Sequence, residues 1–243
     1  MLGLLLVDPT NDTSIRGKYK NFREFVATQK TEGLAASNTP HIGLGYLLAV
    51  AHANNISGHS INMVTDGYSI NDLLKYIKDH RPLVVGFTAF TVQVKTAAYM
   101  AWLIKEQFPS IVTILGGPHV TALPTETLRE FPNSFDCVIP GEAEAILPKL
   151  FDNLNSLSSV PGVFTNDTPD VDGIPWHNRQ AQKDLFARVV DLDDIPFPRW
   201  ESFNLENFKG DKPGDHRLKL PMSTSRGCMY SCNFCSRNFG RRR

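Results

Sequence analysis

Three cysteines, Cys228, Cys232 and Cys235, lie within eight residues near the end of the sequence. A short loop with the spacing C-x-x-x-C-x-x-C can place three thiolates around one metal centre. Structural zinc normally takes four protein ligands, and a 4Fe–4S cluster has four irons to be ligated. Three neighbouring thiols therefore indicate a metal centre with one open position, where a substrate or cofactor binds.

Other interpretations of these cysteines remain open at this point. The fourth cysteine, Cys137, lies in the apolar segment "FDCVIP" and is predicted to be a small buried hydrophobe rather than a ligand. The alternatives to an open metal centre are a zinc site completed by a histidine such as His216, and accidental clustering. The cysteines form no disulfide framework, so the pattern indicates a reducing compartment.

The composition of the 243 residues excludes several classes of function. The formal net charge is zero, which gives no basic surface for nucleic acid or for an anionic membrane. The amino-terminal residues do not have the pattern of a signal peptide, and no segment approaches the ~20 apolar residues of a membrane span. We therefore predict a cytoplasmic protein without nucleic-acid partners and without a membrane span.

Apolar segments of strand length alternate with segments of helical periodicity over residues 1–155. The interior strands are apolar on both faces, which is typical of a parallel sheet covered by helices on both sides. The pattern predicts an α/β domain with a doubly wound, flavodoxin-like sheet of five parallel strands in the order 2-1-3-4-5. The predicted strands are Leu2–Asp8, His59–Asp66, Leu83–Phe90, Ile111–His119 and Phe135–Glu142.

The remaining residues divide into two parts by composition. Residues 156–218 are rich in turn-forming residues and are predicted to be a linker or connector with one short hairpin. Residues 219–243 contain "LPMSTSRG", which is predicted to be a short strand that leads directly into the cysteines.

Ligands of open parallel sheets bind beyond the carboxyl ends of the strands, and small or polar residues collect at these ends. Glycine lets a ligand approach the backbone closely, and Thr88 offers a hydroxyl. The alternative is a purely structural role, in which these are ordinary turn residues and His119 is a hydrogen-bonded loop residue. No phosphate-binding glycine motif is present. The candidate ligand-binding residues are Thr88, Ala89, Gly116, Gly117, Pro118, His119, Gly141 and Glu142.

The segment "RGCMYSCNFCS" resembles the cluster motif of radical S-adenosylmethionine (SAM) enzymes. The resemblance implies that Cys228, Cys232 and Cys235 bind a 4Fe–4S cluster, whose fourth iron takes the methionine part of S-adenosylmethionine. It also implies that Phe234 lies beside the adenine of that cofactor. Reduction of the cofactor in this family gives a 5′-deoxyadenosyl radical. Met229 departs from the proline that is common after the first cysteine.

The amino-terminal part resembles the cobalamin-binding domain that precedes the barrel in one large subgroup of these enzymes. The matching segments are "PHIGLGYLLAV", "VVGFTAF", "ILGGPHVT" and "VIPGEAE", followed by the connector "DLDDIPFPRW". The resemblance implies that the candidate residues at the strand ends line a cobalamin cleft between the sheet and the barrel. The motif D-x-H-x-x-G is absent, so the resemblance implies cobalamin without a protein histidine on cobalt.

The resemblance leaves the function with one leading interpretation and two alternatives. The leading interpretation is the amino-terminal part of an enzyme that cleaves S-adenosylmethionine, for methyl transfer or for a radical rearrangement or cyclisation of an unknown small molecule. A reductant such as flavodoxin or ferredoxin would supply electrons. Only eight residues follow Cys235, so we expect a fragment with an incomplete barrel and no catalysis of its own. The alternatives are a stand-alone corrinoid-binding module and a small zinc protein.

Overall fold

A computed structural model describes residues 2–10, 39–171, 186, 188–189, 191–208, 217–230 and 232. In this part of the chain, five parallel strands form one sheet with the order β2-β1-β3-β4-β5. The predicted fold class and strand order are therefore confirmed. The strands are β1 Leu4–Asp8, β2 Gly58–Asn62, β3 Val84–Thr88, β4 Val112–Gly116 and β5 Cys137–Val138.

Helices follow the strands and cover both faces of the sheet. No helix among the described residues is long and apolar enough to cross a membrane. Short 3₁₀ turns occupy Ala143–Ala145, Leu157–Ser159, Trp200–Ser202 and Leu205–Phe208. The helices are α1 Ile42–Ala53, α2 Ile70–His80, α3 Val94–Gln107, α4 Pro118–Ala122, α5 Pro124–Glu130 and α6 Leu147–Asp152.

The alternation of side chains along each strand divides the core into two layers. In β1, Leu5 and Val7 pack with α2 and α3 on one face of the sheet. The alternate residues Leu4 and Leu6 pack with α1 and α6 on the other face. Both sets are buried, which explains why the strands are continuously apolar in the sequence.

Local sequence signals determine where α2 begins and ends. The hydroxyl of Ser69 accepts a hydrogen bond from the backbone N–H of Asp72, and the carboxylate of Asp72 accepts one from the backbone N–H of Ser69. This capping box satisfies two N–H groups that have no partner within the helix. The helix ends at His80, and the next residue, Arg81, has a left-handed φ of 47°. Only Leu73 and Ile77 are fully buried, so α2 is a surface helix with one apolar stripe.

The second, fourth and fifth predicted strands were wrong in extent, and β2 ends at Asn62 rather than at Asp66. β4 ends at Gly116, because Gly117 turns with a φ of 95° and Pro118 begins α4. Proline at the first position of a helix loses no hydrogen bond, whereas it would interrupt a strand ladder. β5 contains only Cys137 and Val138, although the backbone N–H of Ile139 still donates to Leu115 at 2.9 Å.

Parts of the predicted connector belong to the core of the sheet domain. Val160, Val163, Phe203 and Phe208 are buried in the same layer as α1 and α6. Phe164 pairs antiparallel with Val138 of β5. Much of the connector predicted to contain a hairpin lies outside the described residues. The short strand predicted in "LPMSTSRG" was wrong, because residues 220–227 contain bends at Thr224 and Gly227 and no strand.

The first helix is held against the connector at Gly45. The backbone N–H of Arg199 donates to the carbonyl of Gly45 at 3.0 Å. A Cβ on Gly45 would lie 2.8 Å from Trp200 and 3.0 Å from Pro198. Glycine is therefore needed here for close packing.

We expect Gly45→Ala to lower the free energy of unfolding by about 1–3 kcal/mol, because overpacking outweighs the gain in helix propensity. Gly43→Ala is the matched control, since its Cβ meets only the ring of the partly exposed His41, at 3.2 Å. The control should be neutral or slightly stabilising. Equal stability of the two variants in urea unfolding would contradict the packing role of Gly45.

Candidate functional site

The carboxyl ends of the five strands form one edge of the sheet. Asp8, Asn62, Thr88 and Gly116 are the last residues of β1 to β4, and Gly141 lies three residues beyond β5. A parallel sheet places these ends together, so the tertiary structure brings the predicted ligand-binding loops to one edge.

The loop after β4 is the tightest part of this edge. Gly117 has a φ of 95°, which side chains rarely adopt, and a Cβ there would lie 2.8 Å from the hydroxyl of Thr88. The backbone N–H of His119 donates to the carbonyl of Ala89 at 3.1 Å, and that of Ala89 donates to Gly116 at 3.1 Å. The loops after β3 and β4 are thus fastened together by backbone hydrogen bonds.

The loop after β5 is joined to the same edge by one threonine. The hydroxyl of Thr121 donates to the carbonyl of Gly117 at 2.9 Å, and the backbone N–H of Gly141 donates to that hydroxyl at 3.0 Å. Gly141 has a φ of 84°. These two hydrogen bonds fix the distance between two of the loops that were predicted to line the cleft.

A polar network that was not among the predicted site residues lies at the β1 and β2 end of the edge. The carboxylate of Asp8 accepts hydrogen bonds from the side chains of Asn62 at 2.8 Å and Gln93 at 3.4 Å. Burial raises the pKa of Asp8 above its usual value, and the charge of His41 and the two hydrogen bonds oppose this shift. The sequence offered one signal, an aspartate at the end of an apolar strand.

The predicted site residues differ in how much of them a ligand can reach. Thr88, Ala89, His119 and Glu142 are buried. A ring nitrogen of His119, Nδ1, lies 3.1 Å from the hydroxyl of Thr91, so this side chain has a hydrogen-bond partner within the protein. The residues of the set that are exposed in whole or in part are Gly116, Gly117, Pro118 and Gly141.

Two large apolar side chains stand at the same edge. Phe90 and Val92, in the loop after β3, are each about half exposed, although they follow one of the most buried strands. Exposed apolar side chains beside flexible glycines suit a flat organic ligand better than a phosphate. Nothing in the local sequence distinguished these two residues from ordinary loop residues.

The buried carboxylate of Glu142 faces the segment that carries the cysteines. It accepts a hydrogen bond from the backbone N–H of Val189 at 2.8 Å, and its other oxygen lies 3.3 Å from Nη1 of Arg226. Nη2 of Arg226 lies 2.7 Å from Glu144, and its Cζ lies 4.8 Å from the ring centre of Tyr46. Burial acts to lower the pKa of Arg226, but the hydrogen bonds and charges of Glu144 and Glu142 raise it.

The structure describes two of the three clustered cysteines. Cys228 and Cys232 are exposed, and the backbone N–H of Tyr230 lies 3.4 Å from the sulfur of Cys228. Cys235 and Phe234, as well as His216 of the zinc alternative, lie outside the described residues. Within the described ranges, no group of three or more His, Cys, Asp or Glu side chains is arranged to hold a metal ion.

The fourth cysteine has a different environment. Cys137 is fully buried in β5, and burial raises the pKa of its thiol well above the usual value. The predicted role as a small buried hydrophobe is therefore confirmed. Its burial and raised pKa make Cys137 a poor metal ligand, because the thiolate is the form that binds a metal.

The edge and the sheet define a class of protein, the α/β domains that bind ligands at the carboxyl ends of a five-stranded parallel sheet. Residues 33–151 match the model of the B12 binding domain. This part of the chain is therefore a B12 binding domain, and the proteins to which the chain is similar include cobalamin-dependent radical SAM enzymes.

Curated relatives include two kinds of enzyme. The chain is 28% identical over 213 residues to an uncharacterised methyltransferase of Pyrococcus horikoshii, covering 84% of this chain and 42% of the relative. It is 30% identical over 196 residues to the anaerobic magnesium-protoporphyrin IX monomethyl ester cyclase of Rubrivivax gelatinosus, covering 79% of this chain and 33% of the relative. The chain therefore spans 42% and 33% of the length of these two relatives.

Solved structures show the same fold. The cobalamin-dependent S-adenosylmethionine radical enzyme OxsB, with aqua-cobalamin and S-adenosylmethionine bound, aligns with a TM-score of 0.69 at 20% identity, covering 100% of this chain and 30% of that chain. The radical S-adenosylmethionine methyltransferase TsrM of Kitasatospora setae aligns with a TM-score of 0.61 at 17% identity, covering 99% of this chain and 42% of that chain.

Proposed function

We propose that this chain is the cobalamin-binding and cluster-bearing part of a radical SAM enzyme. The proposal rests on a contact between the two regions that would hold the two cofactors. The carboxyl edge of a B12 binding domain and the segment that precedes the clustered cysteines contact each other through Glu142, Glu144 and Arg226.

The residues at the edge fit a corrin ring. Gly116, Gly117 and Gly141 present backbone without side chains, and Phe90 and Val92 offer apolar surface. A large, mostly apolar ligand with peripheral amides needs this combination of close backbone approach, amide hydrogen bonds and apolar contact. No D-x-H-x-x-G motif occurs in the sequence, so we propose that cobalamin binds without a protein histidine on cobalt.

The cysteines fit an iron–sulfur cluster with one open iron. Cys228 and Cys232 are exposed, so their thiols are accessible to a cluster, and Cys235 completes the motif in the sequence. Phe234 is proposed to contact the adenine of S-adenosylmethionine. When bound, a cluster of this type passes one electron to S-adenosylmethionine, whose carbon–sulfur bond breaks to give methionine and a 5′-deoxyadenosyl radical.

The reaction class follows from the relatives and is part of the proposal. Relatives include methyltransferases and a cyclase, so methyl transfer and radical rearrangement or cyclisation are the two candidate reactions of an unidentified small molecule. A reductant such as flavodoxin or ferredoxin would supply the electron. The cytoplasm, which holds such reductants, is the proposed location.

The test is cofactor loading of the purified protein. Aquacobalamin is added under anaerobic conditions, free ligand is removed by gel filtration, and cobalt is measured together with iron and sulfide after reconstitution. We expect one cobalamin and four irons per chain. Cobalamin without iron would support a corrinoid-binding module alone, and free elution of cobalamin from the folded protein would contradict the proposal.

A further inference from the structure

Arg226 is enclosed by groups from two different parts of the domain. Its side chain is 12% exposed, with Glu142 and Glu144 on one side and the ring of Tyr46 within cation–π distance. Tyr46 belongs to α1, and the two glutamates follow β5. Arg226 itself lies two residues before Cys228.

The two glutamates need a cation at this position. Their side chains are 2% and 8% exposed, respectively, and the guanidinium reaches both with different nitrogens. Burying carboxylates is unfavourable unless a counter-charge and hydrogen bonds compensate. The forked guanidinium can bridge two carboxylates, which the single ammonium group of lysine does less well.

Two hydrogen bonds connect the residue that precedes Glu142 to the candidate cobalamin edge. Glu142 directly follows Gly141, whose backbone N–H is held by the hydroxyl of Thr121 at 3.0 Å. The same hydroxyl donates to the carbonyl of Gly117 at 2.9 Å. A ligand that shifts or stiffens the turn at Gly117 therefore acts on the backbone that carries Glu142.

Arg226 is also an attachment point of the segment that leads to Cys228. The hydroxyl of Tyr46 donates to the carbonyl of Ser223 at 3.3 Å, and Arg226 is the next strong attachment toward the cysteines. Beyond it, Met229 and Tyr230 are exposed, as are Cys228 and Cys232. Loss of the guanidinium would release this end of the segment.

We propose that Arg226 is a positioning residue that couples cobalamin binding at the sheet edge to the placement of the cysteine loop. This inference rests on the proposed function. Because coupling between two sites is reciprocal, cobalamin at the edge holds the loop in place, and the held loop strengthens cobalamin binding. The ion pairs of Arg226 would thus link the position of the cobalamin site to the position of the cysteine loop.

The test measures the alkylation of Cys228 by iodoacetamide in metal-free, reduced protein, with and without aquacobalamin, by site-resolved mass spectrometry. In the wild type, cobalamin should slow the reaction by about fivefold, the lower end of ordinary allosteric coupling. In Arg226→Met, alkylation without cobalamin should be faster, the effect of cobalamin should vanish, and cobalamin affinity should fall by about fivefold. Arg226→Lys should give intermediate values, because it keeps the charge but not the fork.

Arg129→Met is the matched control, because Arg129 pairs with Asp170 at 2.8 Å on the exposed surface. It should behave as the wild type does. Glu144→Gln provides a second variant should Arg226→Met fail to fold, and it should weaken the coupling in the same direction. An equal effect of cobalamin in the wild type and in folded Arg226→Met and Glu144→Gln would overturn the proposal.

The experiment separates this inference from the proposed function. Failure of the wild type to bind aquacobalamin would overturn the cobalamin site and the coupling together. Normal cobalamin binding with an alkylation rate that does not respond to it would overturn the coupling alone.

Discussion

Cys228→Ser is expected to abolish iron binding and leave cobalamin binding intact. Two remaining thiolates cannot hold a 4Fe–4S cluster that relies on three protein ligands and one open iron. After anaerobic reconstitution, iron should fall from about four per chain to background, and the absorbance of the cluster should disappear with it. Any reductive cleavage of S-adenosylmethionine should be lost as well.

The control for the loss of a cysteine is Cys137→Ala. This thiol is fully buried in β5, so its removal should cost about 1 kcal/mol of stability and no iron. Wild-type iron content in Cys228→Ser would show that the cluster motif does not function here. One zinc per chain without iron in the unmodified protein would instead support the zinc alternative.

Gly117→Ala is expected to disable the candidate cobalamin edge. The residue has a φ of 95°, and its Cβ would lie 2.8 Å from the hydroxyl of Thr88 and 2.9 Å from the backbone nitrogen of Ala89. Left-handed strain of this kind costs about 1–3 kcal/mol, and relief of the contact must shift the loop after β3. We expect the free energy of unfolding to fall by that amount and the Kd for aquacobalamin to rise at least about tenfold, or 1.4 kcal/mol.

Gly162→Ala is the control that separates the effect of backbone strain from an effect on the cobalamin site. Gly162 has a φ of 87° but lies in the connector, beyond the five strands. Its variant should lose comparable stability and bind aquacobalamin as the wild type does. Unchanged cobalamin affinity in folded Gly117→Ala would show that this turn does not line the cleft.

The sequence by itself determined the architecture of the first domain. Continuous apolar strands such as "LVVGF" alternate with helical segments, and each signal lies within a window of about ten residues. The parallel sheet and its carboxyl edge follow from these local signals, because helical crossovers are right-handed and short. Periodicity alone does not fix the order of the strands, since more than one doubly wound order obeys the same rule. Cysteine spacing is equally local, so the metal-binding hypothesis was also available from the chain alone.

The residues at which individual strands end were harder to predict from the sequence. An apolar run continues through "IVTILGGPHV", and only the conformation of Gly117 decides that Pro118 begins a helix. The end of β5 was equally hard to predict, because only Cys137 and Val138 of a longer apolar run form the strand. Apolarity indicates burial, but the geometry of the neighbouring strand decides where pairing stops.

Only the tertiary structure decided which polar groups share the edge. The partner of Glu142 is Arg226, 84 residues later in the chain, and Asp8 is paired with Asn62, 54 residues later. Nothing in the types or spacing of these residues indicates the pairs, because each depends on the path of the whole intervening chain. Buried charges must find partners, and the fold selects those partners from residues that the sequence leaves far apart.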